Sequence, residues 1–176
     1  SEVWGEIQRA AGATERLMEL LDTRAEVAVP ASPVALPARV SGKVRFDSVS
    51  FAYPGRPDVP ALSSVSFSVS PGEHLALVGR SGAGKSTLFA LLLRFYDPQS
   101  GTVTIDGVDL ARCDPREARR QVALVPQDPV IFAGSVTDNV RYGRPEATIA
   151  EVRAACEAAY ALEFIERLPR GMESDL

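Results

Sequence analysis

The residues Gly79-Arg80-Ser81-Gly82-Ala83-Gly84-Lys85-Ser86 fit the pattern GxxxxGK[ST], with Thr87 next. Each residue type serves one chemistry, the grip on a chain of phosphates. Glycines let the backbone curl, so that successive N–H groups point at phosphate oxygens. A helix starting at Lys85 adds unpaired N–H groups and the positive end of its dipole. Lys85 brings a full positive charge to the β- and γ-phosphates, and Ser86 offers a hydroxyl to Mg²⁺. Of the 19 basic residues only Lys43 and Lys85 are lysines.

Two other side chains have a chemical reading. Tyr53 sits in Phe51-Ala52-Tyr53-Pro54, just after a strand-like segment. An exposed aromatic there can stack on a base through its π-face, without need of the hydroxyl, for ~1–3 kcal/mol. The competing reading is an aromatic that covers a hairpin. Gln127 follows the apolar Val122 to Val125 in Val125-Pro126-Gln127-Asp128-Pro129. In a parallel α/β sheet that end of a strand carries the ligand. The competing reading is a plain loop residue. The one histidine, His74, reads as a surface residue, and Cys113 and Cys156 as structural thiols. Asp109 and Asp114 read as turn and capping residues.

These groups need elements to hold them. Val44 to Phe51 and Leu62 to Val69 read as strands, separated by the turn cluster Pro54-Gly55-Arg56-Pro57-Asp58. Leu75 to Val78 is a short apolar run, as in a strand buried on both faces of a parallel sheet. A helix is expected from Lys85 to about Phe95. Thr102 to Asp106 and Val122 to Val125 are further strands, the former ending in the Asp106-Gly107 turn. Pro115 opens a short polar helix. Ser135 with Asp138, and Thr148 with Glu151, have capping-box spacing. The second box opens a helix to about Tyr160, and another runs from Leu162 to Leu168. The whole reads as an α/β core with an antiparallel pair in front and a helical subdomain behind. Ahead of it, residues 3–22 have the spacing of an amphipathic helix, and residues 25–42, with Pro30, Pro33 and Pro37, read as a linker.

The 176 residues are 45% apolar and 24% charged, with a net charge of −4. That fits one globular domain with an appendage. No basic run invites nucleic acid. Two scattered cysteines make neither a disulfide scaffold nor a zinc module. No run of eighteen apolar residues spans a membrane, and the first residues do not have the pattern of a signal peptide. The missing initial Met suggests a chain cut from something longer.

In this combination, residues 44–176 resemble the nucleotide-binding domain of ATP-binding cassette transporters, of the fused exporter type. The resemblance rests on Val49-Ser50-Phe51-Ala52-Tyr53-Pro54, the phosphate loop 79–87, Leu93-Arg94-Phe95-Tyr96-Asp97-Pro98-Gln99-Ser100-Gly101, Ile105-Asp106-Gly107 and Val125-Pro126-Gln127-Asp128-Pro129-Val130-Ile131-Phe132, in that order. It implies a partial P-loop NTPase core with an antiparallel β subdomain and, over 133–176, the start of an α-helical subdomain. Residues 1–24 would be the tail of a preceding transmembrane domain. Its ligands would be ATP and Mg²⁺. Gly79, Arg80, Ser81, Gly82, Ala83, Gly84, Lys85, Ser86 and Thr87 would bind the nucleotide and Tyr53 would stack on adenine. Ser86 and Gln127 would face the metal, and Lys85 and Gln127 would serve catalysis. The implied partners are a transmembrane domain, through a coupling helix near 127–140, and a second nucleotide-binding domain in a head-to-tail dimer. The implied place is the cytoplasmic face of a membrane, the bacterial inner membrane.

The family's LSGGQ signature, the Asp-Glu that ends its Walker B strand and its switch histidine are not among these residues. The expectation is thus the ATP-binding portion of an exporter subunit, inactive as an isolated fragment. A nucleotide-binding or assembly module without hydrolysis is the alternative. A P-loop kinase or GTPase would need neither Tyr53 nor Val125-Pro126-Gln127.

Overall fold

The computed structural model describes residues 14, 15, 18, 21 and 27–176. The helix expected over 3–22 lies outside the described residues except at 14, 15, 18 and 21, which are helical. The chain divides into two compact units, one ending at Ala123 and one spanning Leu124–Leu176.

The first unit is built on a four-stranded sheet, in the order β2-β1-β3-β4, with every pairing antiparallel. Strands β1 (Val44–Phe51) and β2 (Leu62–Val69) match the expected spans, and β3 covers Ser100–Ile105. In β1 the buried residues are Phe46, Val49 and Phe51. A step of three between Phe46 and Val49 cannot keep one face in a regular strand. A register shift between them, with Ser48 at φ 51°, takes up the extra residue as a bulge. These side chains meet Leu62, Val103 and Ile105 from the sheet, and Leu88 and Leu91 from a helix.

The two-residue strand β4 (Val108–Asp109) was not expected. Asp106 and Gly107, at φ 49° and 81°, form the tight turn that pairs it with β3. The Asp106 carboxylate also accepts bonds from the Ser41 hydroxyl at 2.6 Å and the Lys43 N–H at 2.8 Å. The Ser41 hydroxyl is the main cause holding that carboxyl below the usual range. Residues 27–43 contain no helix or strand, yet they are strapped to the unit. Val34 N–H donates to the Arg112 carbonyl at 2.8 Å, and Leu36 and Val40 pack on the core.

Helix α1 (Lys85–Leu92) stops earlier than expected. Phe95 N–H bonds back to the Ala90 carbonyl and Arg94 N–H to the Leu91 carbonyl, both at 2.9 Å, with Arg94 at φ 50°. This is the Schellman closure, which usually takes glycine at the left-handed position. Here the position goes to an arginine only 2% exposed. Its guanidinium bonds Asp97 at 2.9 Å, the Ala111 carbonyl at 2.8 Å and the Cys113 carbonyl. Arg119, from α2 (Pro115–Arg120), donates to the Leu93 and Arg94 carbonyls at 2.9 and 2.8 Å. A cation thus closes the negative end of α1. As expected, Asp109 and Asp114 act locally, accepting from the Ala111 and Arg116 N–H groups.

The segments 75–78 and 122–125, expected as strands, are not strands. A strand exists only where a neighbour takes its backbone hydrogen bonds, and among the described residues none pairs with either segment. Leu77 touches the core, but Leu75 is 47% exposed and Val78 90%. Unpaired backbone beside exposed apolar side chains is a template for aggregation. Residues 1–176 expressed alone are therefore expected to be marginally stable and to associate with rising concentration. Light scattering and thermal melts would check this; a monomer that melts cooperatively above ~55 °C, inside the ordinary mesophile range, would refute it.

In the second unit α3 (Val136–Arg141), α4 (Ile149–Ala158) and α5 (Leu162–Glu166) enclose Val136, Cys156 and Ile165. Both expected capping boxes form, Ser135 with Asp138 and Thr148 with Glu151. Thr148 N–H, the Thr148 hydroxyl and Arg144 pull the Glu151 carboxyl down to about 2. That cap is therefore present at neutral pH and lost only as the pH falls through that value. Helix α4 ends before Tyr160 by the same closure as α1, with Tyr160 at φ 54° and Ala161 N–H bonded to the Cys156 carbonyl. Helix α5 stops at Glu166, two residues before the expected Leu168.

Candidate functional site

The loop Gly79–Gly84 leads from segment 73–78, which has no helix or strand, into α1. Gly84 is the residue at which the chain turns into the helix, at φ 83°. A Cβ there would stand 2.6 Å from the Ala61 carbonyl oxygen and 2.8 Å from the Leu62 side chain. Both the backbone angle and the space thus require glycine. No side chain caps the start of α1, and no acidic residue stands in its first turn. Residues Gly79, Arg80, Ser81, Gly82 and Ala83 are exposed, as is Ser86.

Lys85 folds back over its own loop. Its ammonium donates to the Gly79 carbonyl at 2.7 Å and the Arg80 carbonyl at 2.8 Å. A lysine carries three donors on a flexible stem, so it can exchange carbonyl partners for an anion in the same loop. The cradle fits a phosphate chain on four counts: an uncapped helix start, no competing carboxylate in its first turn, a curled loop and a cation above it. Among the described residues no cluster of His, Cys, Asp and Glu could hold a metal unaided. A cation bound here would take the exposed Ser86 hydroxyl together with oxygens of the bound anion.

Tyr53 is joined to this loop. Its hydroxyl lies 3.1 Å from Thr87 Oγ1, and Thr87 is buried. The Tyr53 ring meets Phe51 and Tyr96 edge-on, at 5.0 and 5.3 Å between centroids. Neither the hydroxyl contact nor Tyr96 was anticipated from the sequence. Both depend on residues far apart in the chain, and no local pattern announces them. A cavity of about 350 Å³ adjoins Tyr53, lined also by Phe51, Pro57, Leu62 and Gln99. A larger cleft, about 460 Å³, lies between α1 and the sheet. Its walls are mainly apolar (Phe46, Phe67, Leu75 and Phe89), and it meets the phosphate-loop chemistry only at Lys85 and Ser86.

Gln127 belongs to the second unit, where it is exposed in a segment without helix or strand. Nearby, Val130, Ile131 and Phe132 form an exposed apolar run. Asn139 holds the Phe132 backbone from both sides, at 2.9 Å each, and Tyr142 stacks on the Phe132 ring at 4.5 Å. His74 is exposed, as expected. Cys113 and Cys156 are buried free thiols, and burial pushes the Cys113 thiol up, away from reactivity. No helix among the described residues is long and apolar enough to cross a membrane.

The family model described as "ABC transporter" matches residues 62–173. The ATP-dependent lipid A-core flippase of Chromobacterium violaceum is 45% identical over 174 residues, which cover 99% of this chain and 29% of that protein. Antigen peptide transporter 2 of Rattus norvegicus is 40% identical over 174 residues, covering 99% of this chain and 24% of its own length. Among solved structures, a bacterial Atm1-family ABC exporter with ATP bound superposes with a TM-score of 0.85 at 42% identity, covering 96% of this chain and 29% of that one.

Proposed function

The chain belongs to the ABC transporter family, and on that premise we infer that it is the ATP-binding portion of an exporter subunit, coupling ATP binding and hydrolysis to transport. The observation that carries this reading is the cradle of loop 79–84, with Lys85 bonded across it at 2.7 and 2.8 Å. In this reading the loop amides and Lys85 hold the phosphates, while Ser86 and Gln127 face Mg²⁺. Thr87 supports the loop, and Tyr53 stacks on the base. Lys85 and Gln127 then serve the chemistry by placement and charge, which is most of what phosphoryl transfer asks of a protein. The exposed run Val130–Phe132, stiffened by Asn139 and Tyr142, would receive a coupling helix of the transmembrane domain. A second nucleotide-binding domain would close head-to-tail on the phosphate loop, at the cytoplasmic face of a membrane.

Residues 1–176 alone are expected to hold a fluorescent ATP analogue without turning ATP over, since the Asp-Glu pair and the signature are not among them. Phosphate release and analogue binding, measured on the same sample, test this. Release above background that disappears in Lys85→Ala would sink the claim of an inactive fragment. An analogue that does not bind a sample whose thermal melt shows it folded would sink the ATP site itself.

A further inference from the structure

Just past the end of β1, the side chain of Gln99 behaves as one more residue of the sheet. Its Oε1 accepts from the Ala52 N–H at 2.8 Å, and its Nε2 donates to the Ala52 carbonyl at 2.9 Å. Its own backbone N–H donates to the Ser50 carbonyl at 3.1 Å. The carboxamide thus replaces a peptide unit opposite Ala52, and the ladder between β1 and β3 is carried to the residue directly before Tyr53. On the other side of β1, Ala61 N–H bonds the Phe51 carbonyl at 2.8 Å. The backbone leading into Tyr53 is therefore fixed from both sides.

The ring beyond is fixed as well. Tyr96, three residues before Gln99, packs edge-on against Tyr53, and Thr87 holds the Tyr53 hydroxyl. Gln99 is exposed and contributes nothing to the apolar core. A bidentate bond from an exposed amide to one particular peptide does little for stability, but it sets where the next side chain points. We propose that Gln99 is a positioning residue for nucleotide binding, which aligns Tyr53 through Ala52 and so governs affinity for the base without touching the phosphates. This rests on the reading of Tyr53 as the surface that stacks on the base. A set platform binds more tightly because less ordering remains to be done on binding.

The test uses the intact protein and two probes, Mg·ATP and Mg·tripolyphosphate, titrated calorimetrically. Gln99→Met keeps length and volume but loses both bonds. It should weaken Mg·ATP about fivefold, the equivalent of one net hydrogen bond, and leave tripolyphosphate unchanged. Gln99→Glu turns the donor to the Ala52 carbonyl into a second acceptor facing it, so it should weaken Mg·ATP at least as much as Met and again spare tripolyphosphate. Tyr53→Ala sets the full size of the base-dependent part. Equal losses on both probes would make Gln99 merely structural and overturn the proposal, as would no loss on either. If Tyr53→Ala itself leaves both probes unchanged, the stacking reading fails and the proposal falls with it. A Tyr53 effect without a Gln99 effect refutes the proposal alone.

Discussion

Lys85→Ala should weaken Mg·ATP binding about 100-fold, equivalent to ~3 kcal/mol, the scale of a strong hydrogen bond to a charged group. Lys85 is bound over the loop by the Gly79 and Arg80 carbonyls, so its charge is already where a phosphate chain would lie. The only other lysine, Lys43, sits just before β1 with its N–H on Asp106, and it is not part of the loop. The lysine lies on a half-exposed helix start and is not a core residue. Its loss should therefore leave the melting temperature almost unchanged, which separates a binding defect from a folding defect. Lys85→Met should behave like Ala, because it keeps the stem and loses the charge. Isothermal titration of the intact protein would check both variants, and unchanged affinity in either would remove the loop from the site.

Arg94→Ala should be the more damaging change to the fold. The guanidinium is buried, and its removal leaves the Ala111 and Cys113 carbonyls without that donor. Asp97 is 40% exposed, so water can replace its lost partner and the ion pair itself counts for little. The buried Cys113 carbonyl and the part-buried Ala111 carbonyl dominate, and the expected loss is ~3 kcal/mol. For a chain of this size that lowers the melting temperature by roughly 6–12 °C. Arg94→Gly should be milder by about 1 kcal/mol, because glycine accepts φ 50° without strain. Denaturant unfolding of the two variants beside wild type reads the difference. Equal stability of Arg94→Ala and wild type would show that the buried contacts do not matter.

The readings that succeeded rest on chemistry within a few residues. Ser135 with Asp138, Thr148 with Glu151, and Asp114 before Pro115 each satisfy an N–H of their own helix, so spacing alone announces them. Asp106-Gly107 makes its turn for the same local reason. Helix ends were less legible. The left-handed residue that closes α1 is Arg94, and the one that closes α4 is Tyr160, so the glycine that usually marks such an end is absent. The segments 75–78 and 122–125 have strand composition, but pairing belongs to two segments at once, and no described neighbour supplies it. At the candidate site the phosphate loop was readable as a motif. The supports of Tyr53 were not, because Gln99 meets Ala52 from 47 positions away and Thr87 meets Tyr53 from 34.

The strap ahead of the sheet also has a mechanical side. Residues before β1 are fastened in sequence: Ala28 to Arg94 by a long 3.4 Å contact, Val34 to Arg112 at 2.8 Å, then Ser41 and Lys43 to Asp106 at 2.6 and 2.8 Å. A pull applied at residue 27 would load these fasteners one at a time, as in peeling, the longest contact first. Within residues 27–43 the outermost of these fasteners belongs to the same arginine that closes the far end of α1, the helix whose start carries Lys85. A pull beginning at Ala28 would thus load the Arg94 contact before any strand pairing, and the shorter bonds of Val34, Ser41 and Lys43 behind it limit how far the chain can be drawn out.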